Sequence, residues 1–482
     1  MNKLFRFAVL ETDSLTIQFK QFKIENKNRP DYDSKLRKLF FFIRREGLFK
    51  TIRKVQSKKI DRYNNNIYAT FLLINKAGKN YLNLSLQYHN NIDDFIIDNS
   101  FYETELKLDS INYDYDLQDF NQYTAQCYNK FIKNNAASIQ LDIRKEKHTN
   151  EYKNGVYVYG LGDYSRVYIA PHITNIPKLC CIDYNSLLSR YYKNTYKFVA
   201  HGLTAEESYP MIRQTQKPLA IIATYHSDHA RIAKELFDIN PETYIFIEKP
   251  PCVTFDDLNT LIELYKNKAH LEIGFNRRFI PQNINIKSLL VGKKAIVTIS
   301  VKEVRINKNH WYLWKNQGTR ITGNLVHWID LAIFWVDSLP VEINLMTDRT
   351  ENDTLAMSVL FENGSIVNIT VSDDGNSLRG VQENLEIRFD NETINITDYL
   401  SVIHIKNNGA KSLYRSFFRD KGHDAMYNAL VNNYNNNVNG QYTVEDLIKS
   451  TYLTNKASEM FLSGCRNHKI NNEISNILEK LS

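Results

Sequence analysis

The alternation of apolar and polar positions changes rhythm twice along the chain. Residues 1–150 hold runs that read as strands at 5–10, 15–22, 67–75 and 81–88, the last two joined by a turn around Gly78. Between them a segment opening at Lys35 and closing at Lys59 is basic and apolar at helical spacing, with Gly47 interrupting it. It predicts a helix docked on its own domain with its cations facing water; contact with an anionic membrane surface or with a phosphorylated ligand is the alternative. A helix is expected at 121–134, and the polar stretch 144–154 reads as a linker. From Gly155 the rhythm changes. Short apolar runs at 156–159, 178–182, 198–200, 219–224 and 244–247 alternate with helical patterns, as repeated βαβ units do. After Phe279 a period of two takes over at 294–305, 341–347, 355–361, 365–371 and 385–389, with turns at Glu362-Asn363-Gly364 and Asp390-Asn391. Such alternation predicts an antiparallel sheet with one covered face. Helical patterns at 421–430 and 444–462 close the chain, the second expected to pack back on the parallel sheet.

Composition narrows this picture only a little. At 482 residues the chain exceeds one ordinary core. Three domains are expected: 1–150 of unassigned role, 151–280 with the parallel sheet, and 281–482 of α+β type. Lysine and arginine exceed aspartate and glutamate by 61 − 54, a formal +7, too mild at this size to argue for nucleic acid. No apolar run approaches the ~20 residues that span a bilayer, and no secretory signal is read at the N-terminus. Five scattered cysteines fit a reducing compartment, so a cytoplasmic location is expected; Cys180 and Cys181 read as small core residues. Cys127 is the one cysteine in the first 150 residues, and no metal site is expected.

The chemistry concentrates after Gly155. In GVYVYGLGDYSR a strand runs into a turn whose Gly160 and Gly162 fit the first two positions of G-x-G-x-x-G, with Ser165 at the third. Such a turn lets backbone approach a pyrophosphate, and the following helix start supplies N–H donors. Asp183 ends the second strand about 20 residues on, where a carboxylate accepts both ribose hydroxyls of NAD and would repel the extra phosphate of NADP. Lys249 ends another strand of the same parallel set. That position points a lysine into the crevice where ligands bind, and an ammonium there can stabilise an oxyanion that develops during hydride transfer.

Gly160-Leu-Gly-Asp-Tyr-Ser-Arg166, Ile222-Ala-Thr-Tyr-His-Ser-Asp-His229, Glu248-Lys249-Pro250 and Gly274-Phe-Asn-Arg-Arg-Phe279 follow one another as in the Gfo/Idh/MocA oxidoreductases, the relatives of glucose–fructose oxidoreductase and inositol dehydrogenase. The resemblance runs from about Gly155 to near Ser463. It implies an α/β fold: a Rossmann doubly wound parallel sheet, then an α+β domain with an open antiparallel sheet, here preceded by a small β-rich α+β domain. Lys249 and His327 would be catalytic, His327 moving the hydroxyl proton. Gly160, Gly162, Asp163, Tyr164, Ser165, Asp183, Thr224, His226, His229, Glu248, Lys249 and Asn276 would hold NAD, and Arg277, Asn324 and His423 would face substrate. The Lys249–Pro250 bond would be cis, and Asp330 could orient His327 from three residues on. Many family members place an aspartate four residues before the histidine; here that position is Gly323, with Asn324 the nearest polar group. Tyr225 stands where a proline often follows the threonine.

The glycine turn and the segment around His327 look most like members from surface-polysaccharide and nucleotide-sugar gene clusters in bacteria. Some of those carry an alcohol-dehydrogenase-like module ahead of this unit, and residues 45–55 faintly resemble part of it; a reduced, non-catalytic remnant is one reading of residues 1–150. The resemblance implies an NAD-dependent oxidoreductase acting on a sugar or nucleotide-sugar hydroxyl, assembled as a homo-oligomer through the open sheet face. Two other readings stand beside it: an enzyme that retains NAD without net oxidation, such as an epimerase or glycoside-cleaving enzyme, and a non-enzymatic nucleotide-binding regulator.

Overall fold

The structure, a computed structural model, describes residues 8–11, 15–20, 43, 46–63, 68–75, 80–88, 94–99, 102–107, 151–184, 186–304, 316–347, 354–374 and 380–481. The expected helix at 121–134, Cys127 and most of the expected linker lie outside these residues. Among the described residues three sheets follow one another. The first is an antiparallel meander of β1 (Ala8–Glu11), β2 (Leu15–Lys20), β3 (Tyr68–Asn75), β4 (Asn80–Tyr88), β5 (Asp94–Asn99) and β6 (Tyr102–Lys107), in spatial order 1-2-3-4-5-6. A helix, α1 (Leu48–Tyr63), lies between β2 and β3 in sequence.

The second sheet is parallel: β7 (Tyr152–Tyr159), β8 (Lys178–Ile182), β9 (Ala200–Gly202), β10 (Thr215–Ile222), β11 (Tyr244–Glu248) and β12 (His270–Gly274), in spatial order 9-8-7-10-11-12. This is the Rossmann order, and its direction reverses between β7 and β10, where a crevice opens at the carboxyl ends of the strands. Successive residues of β7 serve opposite faces. Tyr157 and Tyr159 join the core cluster that continues into the third sheet, whereas Val156 and Val158 join the cluster beneath the other face. Both faces are covered, so the buried stretches Val156–Tyr159, Leu179–Ile182, Leu219–Ile222 and Tyr244–Ile247 are apolar throughout, which is why they read clearly in sequence. Two strands start earlier than the pattern suggested: β7 at Tyr152 and β10 at Thr215. The third is displaced to Ala200–Gly202, because Phe198 is buried by the side-chain core while its N–H closes the preceding helix on the Lys193 carbonyl.

The third sheet has nine strands: β13 (Ala295–Lys302), β14 (Pro340–Thr347), β15 (Leu355–Phe361), β16 (Ile366–Ser372), β17 (Gln382–Phe389), β18 (Glu392–Thr397), β19 (Ser401–Ile405), β20 (Lys411–Arg415) and β21 (Asn467–Lys469). Their order is 20-19-18-17-13-16-15-14-21, antiparallel except where β13 runs parallel to β16. The expected antiparallel sheet is therefore mixed. The chain leaves β13, crosses over through α2 (Val326–Val336), and returns as the β14–β15–β16 meander, whose last strand lies against β13. A crossover through a helix is the connection that parallel neighbours need. In β13 the buried positions are Ala295, Val297, Ile299 and Val301, with the intervening residues toward the open face.

Two C-terminal helices return to the parallel sheet. α3 (His423–Asn436) packs Met426, Tyr427, Leu430 and Tyr434 into the cluster under Val156 and Val158. α4 (Val444–Ser463) packs on α2 and on the helix Phe255–Lys266, with Tyr452 against Phe255 at 5.4 Å between ring centres. Among the described residues no helix is long and apolar enough to cross a membrane.

Candidate active site

The glycine turn is built by close approach. Gly160 has φ +87°, and a Cβ there would sit 2.2 Å from the Ala223 carbonyl oxygen, so only glycine fits between β7 and the end of β10. A Cβ on Gly162 would meet nothing within 4 Å, which leaves open space over the turn. The Asp183 carboxylate accepts the Leu161 N–H at 2.8 Å, holding the end of β8 beside the turn. The chain then makes one wide turn, Ser165–Ile169, in which the Ala170 N–H reaches back to the Ser165 carbonyl at 2.9 Å. Ser165 is buried, its hydroxyl 3.0 Å from Tyr192. Asp163 faces outward and is bridged by the buried Arg166, which also donates to the Leu161 carbonyl. A tight turn, open space above it and a carboxylate one strand away fit the diphosphate and ribose of a dinucleotide.

At the other side of the switch point β11 delivers Glu248 and Lys249, and the Lys249–Pro250 bond is cis. Glu248 is buried and accepts from the hydroxyls of Tyr164, at 3.0 Å, and Tyr427. Burial pushes its carboxyl up to about 7, against the pull of those two hydrogen bonds and of the neighbouring Lys249. His229 is buried at the start of its helix, with Nδ1 2.7 Å from the Pro250 carbonyl and Nε2 3.3 Å from that of Thr224. The shorter contact assigns the proton to Nδ1. Burial holds this imidazole neutral, with its pKa lowered to about 4 despite two carbonyl partners. His226, also buried, has Nδ1 3.2 Å from the Gln317 carbonyl and so ties the β10 loop to the third sheet's side of the crevice.

The Lys249 ammonium donates to the Gly323 carbonyl at 3.0 Å. The backbone of the residue that stands in the aspartate position thus anchors the lysine, with no carboxylate at that point. Residues 321–325 form a second wide turn that leads into α2, which places Asn324 and His327 on the cavity. His327 Nδ1 is buried without a hydrogen-bond partner among the described residues. Burial, and then the positive charges of Lys249 and Arg277, push its pKa well down, so the imidazole is neutral. Asp330 does not orient it. Fully buried one turn on, Asp330 takes both arms of Arg278, at 2.9 and 2.8 Å, and the Tyr442 hydroxyl at 3.1 Å. A side chain three residues along a helix shares a face with His327, but the stronger fork-shaped partner claims it.

One cavity of about 310 Å³ gathers Tyr164, Thr224, His226, His229, Glu248, Lys249, Asn276, Arg277, Asn324, His327 and His423. Gly160, Gly162, Asp163, Ser165 and Asp183 lie outside its lining, along the turn and the neighbouring strand end. Arg277 faces the cavity beside Trp328, its guanidinium 4.7 Å from that ring and clamped on Glu383 at 2.6 and 3.3 Å. His423 is buried at the start of α3 and stacks on Tyr168 at 4.3 Å. Asn276 donates to the Lys421 carbonyl at 2.6 Å, fixing the turn before α3. Tyr168, Ala223, Glu303, Trp328, Val381 and Lys421 complete the wall, and none of them was expected from the sequence as a site residue. Lys421 stands two residues before His423 at the start of the same helical pattern, and charge next to a candidate site residue was the available signal. Glu303, at the end of a period-two strand, carried none.

The basic helix also reaches this site. Lys50 bridges Asp424 at 2.8 Å, and Lys54 bonds Glu46 and the Tyr168 hydroxyl. Over residues 48–56 the helix presents Lys50 and Lys54 to the protein and Leu48, Phe49, Ile52 and Val55 outward, the reverse of the sequence expectation there. Among the described residues, no group of three His, Cys, Asp or Glu side chains is arranged to hold a metal ion.

No protein-family model matches the chain, and no curated protein sequence matches it. Solved structures do. An oxidoreductase domain protein from Kribbella flavida superposes with TM-score 0.56 at 12% identity, over 66% of this chain and 99% of that one. An aldose–aldose oxidoreductase from Caulobacter crescentus, solved with glycerol, gives 0.56 at 16% identity over 66% and 100%. GenD2 from gentamicin A biosynthesis, solved with NAD, gives 0.55 at 16% identity over 67% and 98%. Structural neighbours of this chain are thus Gfo/Idh/MocA-type oxidoreductases, and the likeness is one of fold.

Proposed function

We propose that the chain is a nicotinamide-dependent oxidoreductase acting on a hydroxyl-bearing carbon of a sugar or nucleotide-sugar. The observation that carries this reading is the meeting of Lys249 and neutral His327 on one cavity, at the switch point beside the Gly160 turn. The nicotinamide, when bound, supplies the hydride acceptor or donor. Gly160 and Gly162 would let backbone approach the diphosphate, Asp183 would accept the ribose hydroxyls, and its carboxylate favours NAD over NADP. Lys249, held by the Gly323 carbonyl, would donate to the substrate oxygen and stabilise the charge that develops on it. His327 would take the hydroxyl proton, because its imidazole is kept neutral and its Nδ1 has no partner among the described residues. His229, Glu248 and the two tyrosines on Glu248 would hold the β11 turn in place rather than react.

The test is titration of the purified protein with NAD and with NADP, followed by fluorescence, then a screen of sugars and nucleotide-sugars for NADH formation. Saturable binding that is at least tenfold tighter for NAD, and lost in Asp183→Asn, is the expected result. Absence of binding to either nucleotide would remove the reading. Nucleotide that stays bound through turnover without NADH release would instead place the chain among enzymes that use NAD without net oxidation.

A further inference from the structure

Lys421 lies on the cavity wall, and among the described residues its ammonium has no hydrogen-bonded acceptor. Its place is fixed by backbone. Asn276 holds the Lys421 carbonyl, the Gly422 N–H donates to Asp420 at 2.7 Å, and a Cβ on Gly422 would strike the Asn276 carbonyl oxygen at 2.1 Å. We infer that Lys421 is a specificity-determining anchor for a carboxylate, and that the sugar this cavity takes is therefore a sugar acid.

The inference rests on the reading of the cavity as a sugar site and adds the class of sugar. The charges around Lys421 are mostly committed to each other. Glu383 is shared by Arg277 and Arg419, and Glu46 bonds Lys54. Glu303 lies on the same wall, within the fields of Arg320, Lys421 and Arg277. Against the five carboxylates of Glu46, Glu248, Glu303, Glu383 and Asp398 stand the six cations Arg277, Arg320, Arg419, Lys54, Lys249 and Lys421, so one positive charge is left over. Lys249 is spoken for by the reacting oxygen, and Arg320, whose Nε and Nη2 have no partner among the described residues, does not line the cavity, which leaves Lys421 as the cation on the wall that can take a new anion. One ammonium suits a singly charged carboxylate. A phosphate dianion would bring a second negative charge onto the wall that already holds Glu303. Burial, and then the charge of Arg419, push the Lys421 pKa down to about 7. An anion beside it would raise that value again, so at pH 8 binding should draw in a proton.

Calorimetry of the full chain with D-glucuronate, D-glucose and glucose 6-phosphate, at pH 8 in two buffers of different ionisation enthalpy and with and without NAD, tests this. Glucuronate is expected to bind at least tenfold more tightly than glucose, with net proton uptake. Lys421→Met should remove both the preference and the proton uptake, and Lys421→Arg should restore the preference but not the uptake. Equal binding of glucose and glucuronate, tighter binding of glucose 6-phosphate, no binding of any sugar, or an unchanged Lys421→Met protein would each overturn the inference. Glucuronate binding that depends on Lys421 in a protein that fails to bind NAD would sustain the inference while the oxidoreductase reading falls. Fluorescence titration with NAD and far-ultraviolet circular dichroism of both variants separate loss of the anchor from loss of the fold.

Discussion

Residues with the same charge have been set to different tasks by what surrounds them. Lys249 donates to a carbonyl, Lys54 to a carboxylate and a phenol, and Lys421 to nothing in the described protein. Replacing Lys249 by methionine removes the donor aimed at the substrate oxygen; kcat should fall by roughly 100-fold or more while the Kd for NAD stays within about twofold. Steady-state kinetics beside a nucleotide titration would read both. His229 makes a separate case. Its folded pKa lies below the usual 6.5, so the stability it contributes is present above pH 6.5 and lost as pH falls toward about 4. The full span is worth about 3 kcal/mol. Urea midpoints measured from pH 7.5 to 4.5 should drop less steeply in His229→Asn than in the unaltered chain. Most of these residues were legible in the sequence because their types and spacing match a known arrangement. Asp330 was misread because spacing alone does not show that Arg278, a residue of the same G-x-N-R-R-F segment, reaches it first.

At the scale of elements, legibility followed burial. β8, covered on both faces, was placed to the residue, and β15 likewise, with its turn at Gly364 in the left-handed region at φ +77°. β18, β19 and β20 were missed. Every residue of β20 is exposed, and β19 has no buried position, so neither leaves an apolar signature. The parallel pairing of β13 with β16 was also invisible, since period two is the same for either direction. Turns test more sharply. Gly160→Ala forces a methyl into the Ala223 carbonyl at a backbone angle that side chains avoid, and should cost roughly 2–4 kcal/mol, most of it as displaced backbone. Gly162→Ala meets open space and should leave the denaturation midpoint nearly unchanged while weakening nucleotide binding. The pair separates a turn that needs glycine for packing from one that keeps space for a ligand.

Across the molecule, buried ion pairs join segments far apart in sequence. Arg278 holds Asp330 on α2 and Asp446 at the start of α4, and Tyr442 covers the guanidinium at 4.4 Å. Breaking such a pair strands a charge, so Asp330→Asn should destabilise by about 3–5 kcal/mol. Its effect should appear in the denaturation midpoint, with kcat of the surviving folded protein little altered. The sequence offered the fold of residues from Gly155 onward because local pattern and motif agree there. For residues 1–150 it offered only the β-rich character, since no motif in them demands a chemistry.

The grip of α1 on Tyr168 and Asp424 makes the first part of the chain a thermodynamic party to whatever the cavity holds. Tyr168 stacks on His423 inside the cavity while its hydroxyl is held by Lys54 outside it. A ligand that steadies this stacked pair must tighten the helix by the same factor that the helix tightens the ligand, because coupling between two bindings is reciprocal. Amide hydrogen exchange along Leu48 to Gln56 would therefore slow when the cavity fills, with no contact between those amides and the ligand. Lys54→Met should cut that link, weakening substrate several-fold and leaving the exchange of α1 indifferent to it. Selection for affinity would then act on residues that never meet the substrate.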